Sequence, residues 1–463
     1  MRSRRDQVQA HAYVVGRLTS ALVHGEPDAP QSPMRRTTLG SFGGVMIGAL
    51  LVAGFLIWGL IFPASKGKAM TAGELIVVKE TGARFIYARG ELRPVLNWTS
   101  AELLLGGKAT VQSVPAASLA HIPQGPPVGI AGAPDMLPPA GVVNTGDWLV
   151  CADPGAGQAR VSLTIGPLAA SLTAPVTGAV IVADQDGNHY LLWRSHRLRI
   201  DEPWIAEALN LGRLPVIQVS SAWLNAVPAA PDLMPMAVPD LGGPGPDLGG
   251  QPTRAGQVLV TRNVGSPSEF YLAVAGGVTP ITSAQAAIAI TDTATAAAYP
   301  GAAVAPVPVS PAAIAGASIM HQQLPDGPPA PATPPPSARP SAGAAPCMAY
   351  AGRGGTAPSL VFGRPPAGPA PPPSMPGVTT SPENADLISV LPGGGALVSP
   401  QAAPGVSGSS LYLVTDEGVK FPLPTAAAAR ALGYRAGLPA ALPAALLAML
   451  PTGPALDLPA MRG

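Results

Sequence analysis

The sequence predicts an α+β protein with a single N-terminal transmembrane helix. An extended ectodomain follows, made of four small strand-turn-strand-helix repeats around a disulfide-stapled central β domain. Three observations carry this expectation. Phe42 to Phe62 (FGGVMIGALLVAGFLIWGLIF) is apolar, without charge or proline. A pattern of β-branched strand, polar turn, aromatic-led strand and Ala/Leu helix recurs four times after it. The two cysteines, Cys151 and Cys347, lie in strand-like stretches outside that pattern.

Composition sets the frame. A chain of 463 residues suits two or three compact units. Charged residues make up 11% of it, against about a quarter in ordinary globular proteins. The net charge of +1 gives no bulk electrostatic case for nucleic-acid binding. The 58 Pro and 54 Gly imply short elements joined by many turns and linkers.

Residues 1–41 form the first segment. Within RDQVQAHAYVVGRLTSALVH, Val8, Val15, Leu18 and Leu22 recur at helical spacing, with Val14 beside them. This predicts a short amphipathic cytoplasmic helix ended near Gly25 and Pro27, whose apolar face contacts a partner or the membrane surface. Residues 42–62 are long enough to cross a hydrocarbon core of about 30 Å at about 1.5 Å per residue. A cleaved signal sequence would have a shorter apolar core and fewer residues before it. Gly40, Gly44 and Gly48 enter the span at four-residue intervals, the spacing of a helix-packing face, although glycine is also simply tolerated in membrane helices. Arg35 and Arg36 on one side nearly balance Lys66 and Lys68 on the other. Arg2, Arg4, Arg5 and Arg17 tilt the positive-inside count toward a cytoplasmic N-terminus.

Beyond the span, repeat 1 occupies 75–135, repeat 2 177–240, repeat 3 257–329 and repeat 4 391–463. Their second strands hold Phe85–Tyr87, Tyr190–Trp193, Phe270–Leu272 and Leu411–Leu413. Tyr87, Trp193 and Tyr271 are expected to fill the small cores, with stacking on wall sugars as the alternative use. A tail with a short helix around Leu119, Leu224 or Leu447 closes three repeats, and the third tail is the most degenerate. Linkers are expected at 241–256, 330–346 and 364–390, the last two Pro-rich and extended or disordered. The central β domain is expected in two parts, 141–176 and 347–363, around WLVCA and CMAYA. Two cysteines on one side of a membrane suit a disulfide in an oxidising compartment; two inert buried thiols are the alternative.

Taken in order, these features resemble one family. RDQVQAHAYVVGRLTSALVHGE, PMRRTTLGSFGGVMIGALL, LIVVKETGARFIY, PVLNWTSAELLLG, the WLVC and PCMAY segments and LYLVTDEGVKFPLPTAAAARALGY are similar to the EccB component of type VII (ESX) secretion complexes of actinobacteria. The resemblance implies a single-span scaffold subunit, located in the cell membrane with most of the chain extracytoplasmic. It implies partners: an EccC-like ATPase, EccD-like and EccE-like membrane subunits, a mycosin-like protease and further copies of the chain. It also implies one disulfide and repeats similar to wall-binding modules, which makes peptidoglycan a further candidate partner.

Members of the family are sometimes labelled ATPases, so the phosphate-binding pattern GxxxxGK[ST] matters. The nearest string, Gly106-Gly107-Lys108-Ala109, lacks the upstream glycine and the hydroxyl that would hold magnesium. Asp184-Gln185-Asp186-Gly187-Asn188 carries calcium-type residues, but Ser195 stands where an EF-hand needs its Glu, so a hairpin turn is expected. His11, His24, His121, His189, His196 and His321 are scattered without ligand spacing, and GxSxG and HExxH are absent. The sequence therefore nominates no catalytic, cofactor or metal residues.

Overall fold

Two long helices open the chain. Arg4–His24 forms α1, closed by Gly25 at φ +72°, whose N–H donates to the Ala21 carbonyl. A left-handed residue there satisfies one of the carbonyls a helix end leaves open. Met34–Ile61 forms α2, and Thr37–Gly59 within it is long and apolar enough to cross a membrane. In this computed structural model the described residues are 4–25, 34–61, 73–107, 110–153, 159–167, 175–263, 265–321, 330–353, 357–364, 371–403, 406–408, 410–435 and 439–457. Phe62, Lys66, Lys68 and Lys108 lie outside them. The chain divides into two units, Met1–Thr71 and Ala72–Gly463.

The second unit begins with a four-stranded sheet. β1 (Glu74–Val78) and β2 (Arg84–Ala88) form a hairpin, β3 (Glu91–Pro94) adds antiparallel to β2, and α3 (Trp98–Leu105) follows. β4 (Thr110–Val114) then returns parallel to β1, giving the order β3-β2-β1-β4. Asn97 caps α3 by accepting from Ser100 N–H, and Gly106 at φ +68° ends it. Leu75 and Ile86 stand opposite each other and are buried on one face, and Ile76 and Val78 are buried on the other, so β1 is covered on both sides.

The next strands, β5 (Asp147–Asp153) and β6 (Arg160–Gly166), pair antiparallel and belong to a different sheet. The first arrangement then recurs: β7 (Val180–Ala183), β8 (His189–Trp193), β9 (His196–Ile200), α4 (Trp204–Ala208) and β10 (Val216–Gln218), ordered β10-β7-β8-β9 and followed by α5 (Ser221–Ala226). Residues 241–256, expected as a linker, instead hold an antiparallel pair, β11 (Pro244–Asp247) and β12 (Pro252–Arg254). Proline is tolerated there because a two-stranded ribbon leaves an edge that needs no donor.

A third sheet follows with β13 (Val258–Thr261), β14 (Glu269–Val274), β15 (Gly277–Ile281), α6 (Ser283–Thr291) and β16 (Val307–Pro308), ordered β15-β14-β13-β16 and trailed by α7 (Pro311–Ala315). β17 (Ala345–Tyr350) and β18 (Ser359–Gly363) rejoin β5 and β6. β19 (Leu387–Val390) completes the five-stranded central sheet β18-β17-β5-β6-β19. The 364–390 stretch is thus not wholly a linker: its end pairs parallel to β6, from Leu387 opposite Ser162 to Val390 opposite Ile165. The last sheet holds β20 (Ala396–Ala403), β21 (Val406–Ser407), β22 (Leu411–Val414), β23 (Lys420–Leu423), α8 (Ala426–Ala431) and β24 (Ala440–Pro443), which pairs parallel to β20 before α9 (Ala444–Ala448).

The parallel return strands β4, β10, β16 and β24 were not anticipated. They are two to five residues long, too short for a periodic signal, and their partners lie across a whole helix. The aromatic expectation holds in part: Trp193 and Tyr271 pack against the cores of their sheets. Tyr87, Trp193 and Tyr271 are only half-buried, while the aliphatic neighbours Ile86, Leu191, Leu192 and Leu272 take the core positions.

Candidate functional site

Gly106 is the left-handed C-cap of α3, and a Cβ on Gly107 would lie 2.6 Å from the Ala431 carbonyl oxygen. Both glycines are therefore required by helix termination and by close approach to the end of α8. Asp184 sits in the β7–β8 hairpin, with Gly187 at φ +85°. Its carboxylate accepts from the backbone N–H of Asp186 and Asn188, the Asn188 amide and the Tyr190 hydroxyl. Burial alone would raise its pKa; the hydrogen bonds from Asn188, Tyr190 and Asp186 outweigh that and hold it below the usual carboxylate range. Among the described residues no three His, Cys, Asp or Glu converge as metal ligands.

What the second unit does provide is rigid joining. Cys151 and Cys347 stand directly opposite on β5 and β17 and form a disulfide, buried with Leu149 and Val361. The central sheet shares one core with the tails of the second and fourth sheets: Trp148, Val150 and Leu163 pack with Trp223, Leu224, Leu446 and Leu447. Trp223 Nε1 donates to the Val150 carbonyl at 3.0 Å, and the Tyr350 hydroxyl donates to the Ala226 carbonyl. These bonds satisfy polar atoms that would otherwise be buried unpaired.

The first and fourth sheets are joined as closely. Leu103, Ile130 and Val143 share a core with Leu397, Phe421 and Tyr434. Asn144, held at φ +61°, donates its amide to the Leu397 carbonyl and accepts the Leu397 N–H at 3.0 Å, mimicking a strand pair. The Tyr434 hydroxyl donates to the Pro138 carbonyl at 2.9 Å. Arg84 holds Asp135 in a bidentate pair, and Asp135 also accepts the Trp98 N–H at the start of α3. The hydrogen bond from Arg84, the largest influence, holds the Asp135 carboxyl below its ordinary range. Sequence reasoning missed Asn144, Trp223, Tyr350 and Tyr434; isolated polar or aromatic residues in loops, short helices or at a strand end carry no periodic signal.

In the first unit the residues singled out for contacts are all at the surface. Val8, Val15, Leu18 and Leu22 are exposed along α1, and their spacing places them on neighbouring turns. Gly40, Gly44 and Gly48 lie at successive turns of α2, and a Cβ at any of them would meet nothing within 4 Å. Small residues so placed let another helix approach closely.

The apolar helix and the disulfide-stapled sheets both fall within the stretch of chain covered by one protein family. The family described as "Type VII secretion system ESX-1, transport TM domain B" matches residues 2–462, and the chain belongs to this EccB family. The ESX-2 secretion system ATPase EccB2 of Mycobacterium tuberculosis is 30% identical over 299 residues, covering 61% of this chain and 57% of that protein. The ESX-5 secretion system ATPase EccB5 of Mycobacterium marinum is 29% identical over 292 residues, covering 60% and 56%. The chain thus spans about half the length of the curated relatives it matches. Among solved structures, the EccB3 dimer from an ESX-3 core complex has a TM-score of 0.64 at 26% identity, over 83% of this chain and 98% of that one. A chain of an intact ESX-5 inner membrane complex has the same fold, with a TM-score of 0.64 at 24% identity over 99% and 94%.

Proposed function

We propose that this chain is a structural scaffold subunit of a type VII (ESX) protein-secretion complex, anchored in the cell membrane by α2. The observation that carries the reading is a family match running from residue 2 to 462, through both the apolar helix and the joined sheets. In this reading the N-terminus is cytoplasmic and residues 72–463 are extracytoplasmic, the side on which a disulfide persists. The face of α1 carrying Val8, Val15, Leu18 and Leu22 contacts cytoplasmic parts of partner subunits. Gly40, Gly44 and Gly48 pack α2 against another membrane helix. The four similar sheets are copies of one repeat, within 75–135, 177–240, 257–329 and 391–463, arranged on the disulfide-stapled central sheet.

The partners are an EccC-like ATPase, EccD-like and EccE-like membrane subunits, a mycosin-like protease and further copies of this chain. Extraction of a tagged copy from native membranes in mild detergent, then sizing and mass spectrometry, tests this. Co-migration with an FtsK-type ATPase and a multi-span subunit is expected; elution alone or only with wall fragments overturns it.

A second reading, ATP hydrolysis, is favoured by the names of the relatives. Against it, Gly106 and Gly107 are accounted for by the end of α3 and its approach to Ala431. The purified chain, free of any EccC-like protein, is expected to release no phosphate above a heat-denatured control. Wall tethering by the repeats is tested by pelleting the same preparation with peptidoglycan.

A further inference from the structure

The turn into the third strand of each similar sheet needs left-handed backbone, which glycine adopts freely. The β2–β3, β14–β15 and β22–β23 turns supply Gly90, Gly276 and Gly418, at φ +86°, +85° and +74°. The β8–β9 turn has no glycine. Arg194 at φ +47° and Ser195 at φ +63° stand between Trp193 and His196, which face each other across the hairpin. Two successive residues with side chains are strained in that region, because Cβ crowds the following carbonyl oxygen.

What holds the turn lies in another sheet. β18 is an edge strand of the central sheet, hydrogen-bonded to β17 on one side. Leu360 stands opposite Met348, but its own N–H and C=O point away from β17. The N–H donates to the Ser195 hydroxyl at 2.8 Å, and the carbonyl accepts from the Val176 N–H at 2.8 Å. Leu360 is buried, so an unpaired N–H there would be costly. A glycine at 195 would fit the turn and offer no acceptor. The turn is braced from within as well: the Arg194 guanidinium lies 5.5 Å from the centre of the Trp193 ring, and His196 Nδ1 lies 2.8 Å from the Arg194 carbonyl oxygen.

We propose that the β8–β9 turn is a strained catch on the central sheet. The Ser195–Leu360 bond holds residues 194 and 195 left-handed, so engagement with β18, and not the hairpin's own preference, sets the turn. The two are coupled: opening the bond lets the turn relax, and easing the strain tightens the bond. This joint is internal to the second unit and holds whatever complex the chain joins.

Hydrogen exchange of the full chain in detergent, read by mass spectrometry with fragmentation to single amides, tests the coupling. Ser195→Ala keeps the strain and removes the acceptor, so the Leu360 amide should exchange about fivefold faster or more. Arg194→Asn keeps the acceptor and eases the strain, because asparagine adopts the left-handed region more readily; the same amide should exchange about twofold to threefold slower. The Val219 amide, bonded to the Ala183 carbonyl within the second sheet, should keep its rate in both variants. Near-ultraviolet circular dichroism checks both folds, and Arg194→Asn decides the matter should Ser195→Ala lose its tertiary signal. An unchanged Leu360 rate in Ser195→Ala, or an unchanged or faster one in Arg194→Asn, overturns the proposal, as does an equal change at Val219.

Discussion

Two stretches of this chain are equally apolar and sit in opposite surroundings. Trp148, Leu149 and Val150 of β5 are exposed by 0%, 1% and 0%, whereas Phe55, Leu56 and Ile57 of α2 are exposed by 77%, 67% and 57%. The first group is covered by the chain itself, through α5, α9 and the flanking strands. The second is a continuous helical surface whose natural solvent is lipid. Hydropathy therefore states how strongly a segment avoids water; topology decides what takes it out. The stability of β5 is internal to the second unit, and that of α2 belongs to the bilayer.

The sharpest way to break this separation is to cut the staple. The Cys151–Cys347 bond spans 196 residues of sequence. Closing such a loop reduces unfolded-chain entropy by an amount worth about 5 kcal/mol. Cys151→Ala with Cys347→Ala is expected to lower the urea midpoint accordingly, read by tryptophan fluorescence of the full chain in detergent. Carbonate extraction should still leave the protein in the membrane; release would mean that the two units depend on each other.

Next in size is Trp223→Ala. It empties the shared core of the central sheet and leaves the Val150 carbonyl without its indole donor. A loss of about 4 kcal/mol is expected from cavity and transfer costs, again with retention in the membrane unchanged.

Leu50→Arg works from the other side. A cation near the middle of the span costs about 3 kcal/mol of insertion free energy. The membrane-retained fraction should fall while the urea midpoint of the second unit holds. A fall in both would erase the distinction.

The smallest expected effect is a pH slope. Lys420 on β23 donates to the Leu447 carbonyl at the end of α9. Burial pulls its ammonium down to about 8, with Glu383 opposing, from an ordinary value of 10.5. Below about pH 8 the group is charged in folded and unfolded chains alike, and folding bears the cost of burying it. From there to the ordinary lysine range only the unfolded chain keeps the proton, so stability rises with pH across that window. Lys420→Met should flatten the rise in denaturation measured at successive pH values.

These comparisons also mark how far the sequence could be read. The apolar span, the hairpins and the cysteine-bearing strands were legible because β-branched alternation and long apolar runs are local signals. β19 was not, since its partner β6 is more than two hundred residues away and its neighbours are rich in proline. The β11–β12 pair was hidden by Pro244, Pro246 and Pro252, which read as linker composition. Tyr87, Trp193 and Tyr271 lie at the margin of their sheets, half-buried, while aliphatic residues such as Leu191, Leu192 and Leu272 fill the cores. Val8, Val15, Leu18 and Leu22 of α1 and the glycines of α2 were legible as helical spacing, and the structure places them at the surface.

The joining of the first and fourth sheets fixes a schedule for biogenesis. Leu103, Ile130 and Val143 belong to early-made segments, yet the core that covers them needs Leu397, Phe421 and Leu456. A ribosome delivers these some three hundred residues later. Until then the nascent chain carries an uncovered oily face, the condition under which chaperones engage. Contacts so distant in sequence also slow the final closure, because loop entropy is lost before packing offsets it. A chain truncated before β20 would be caught permanently at that stage, so native packing of the first sheet reports on whether synthesis ran to the end.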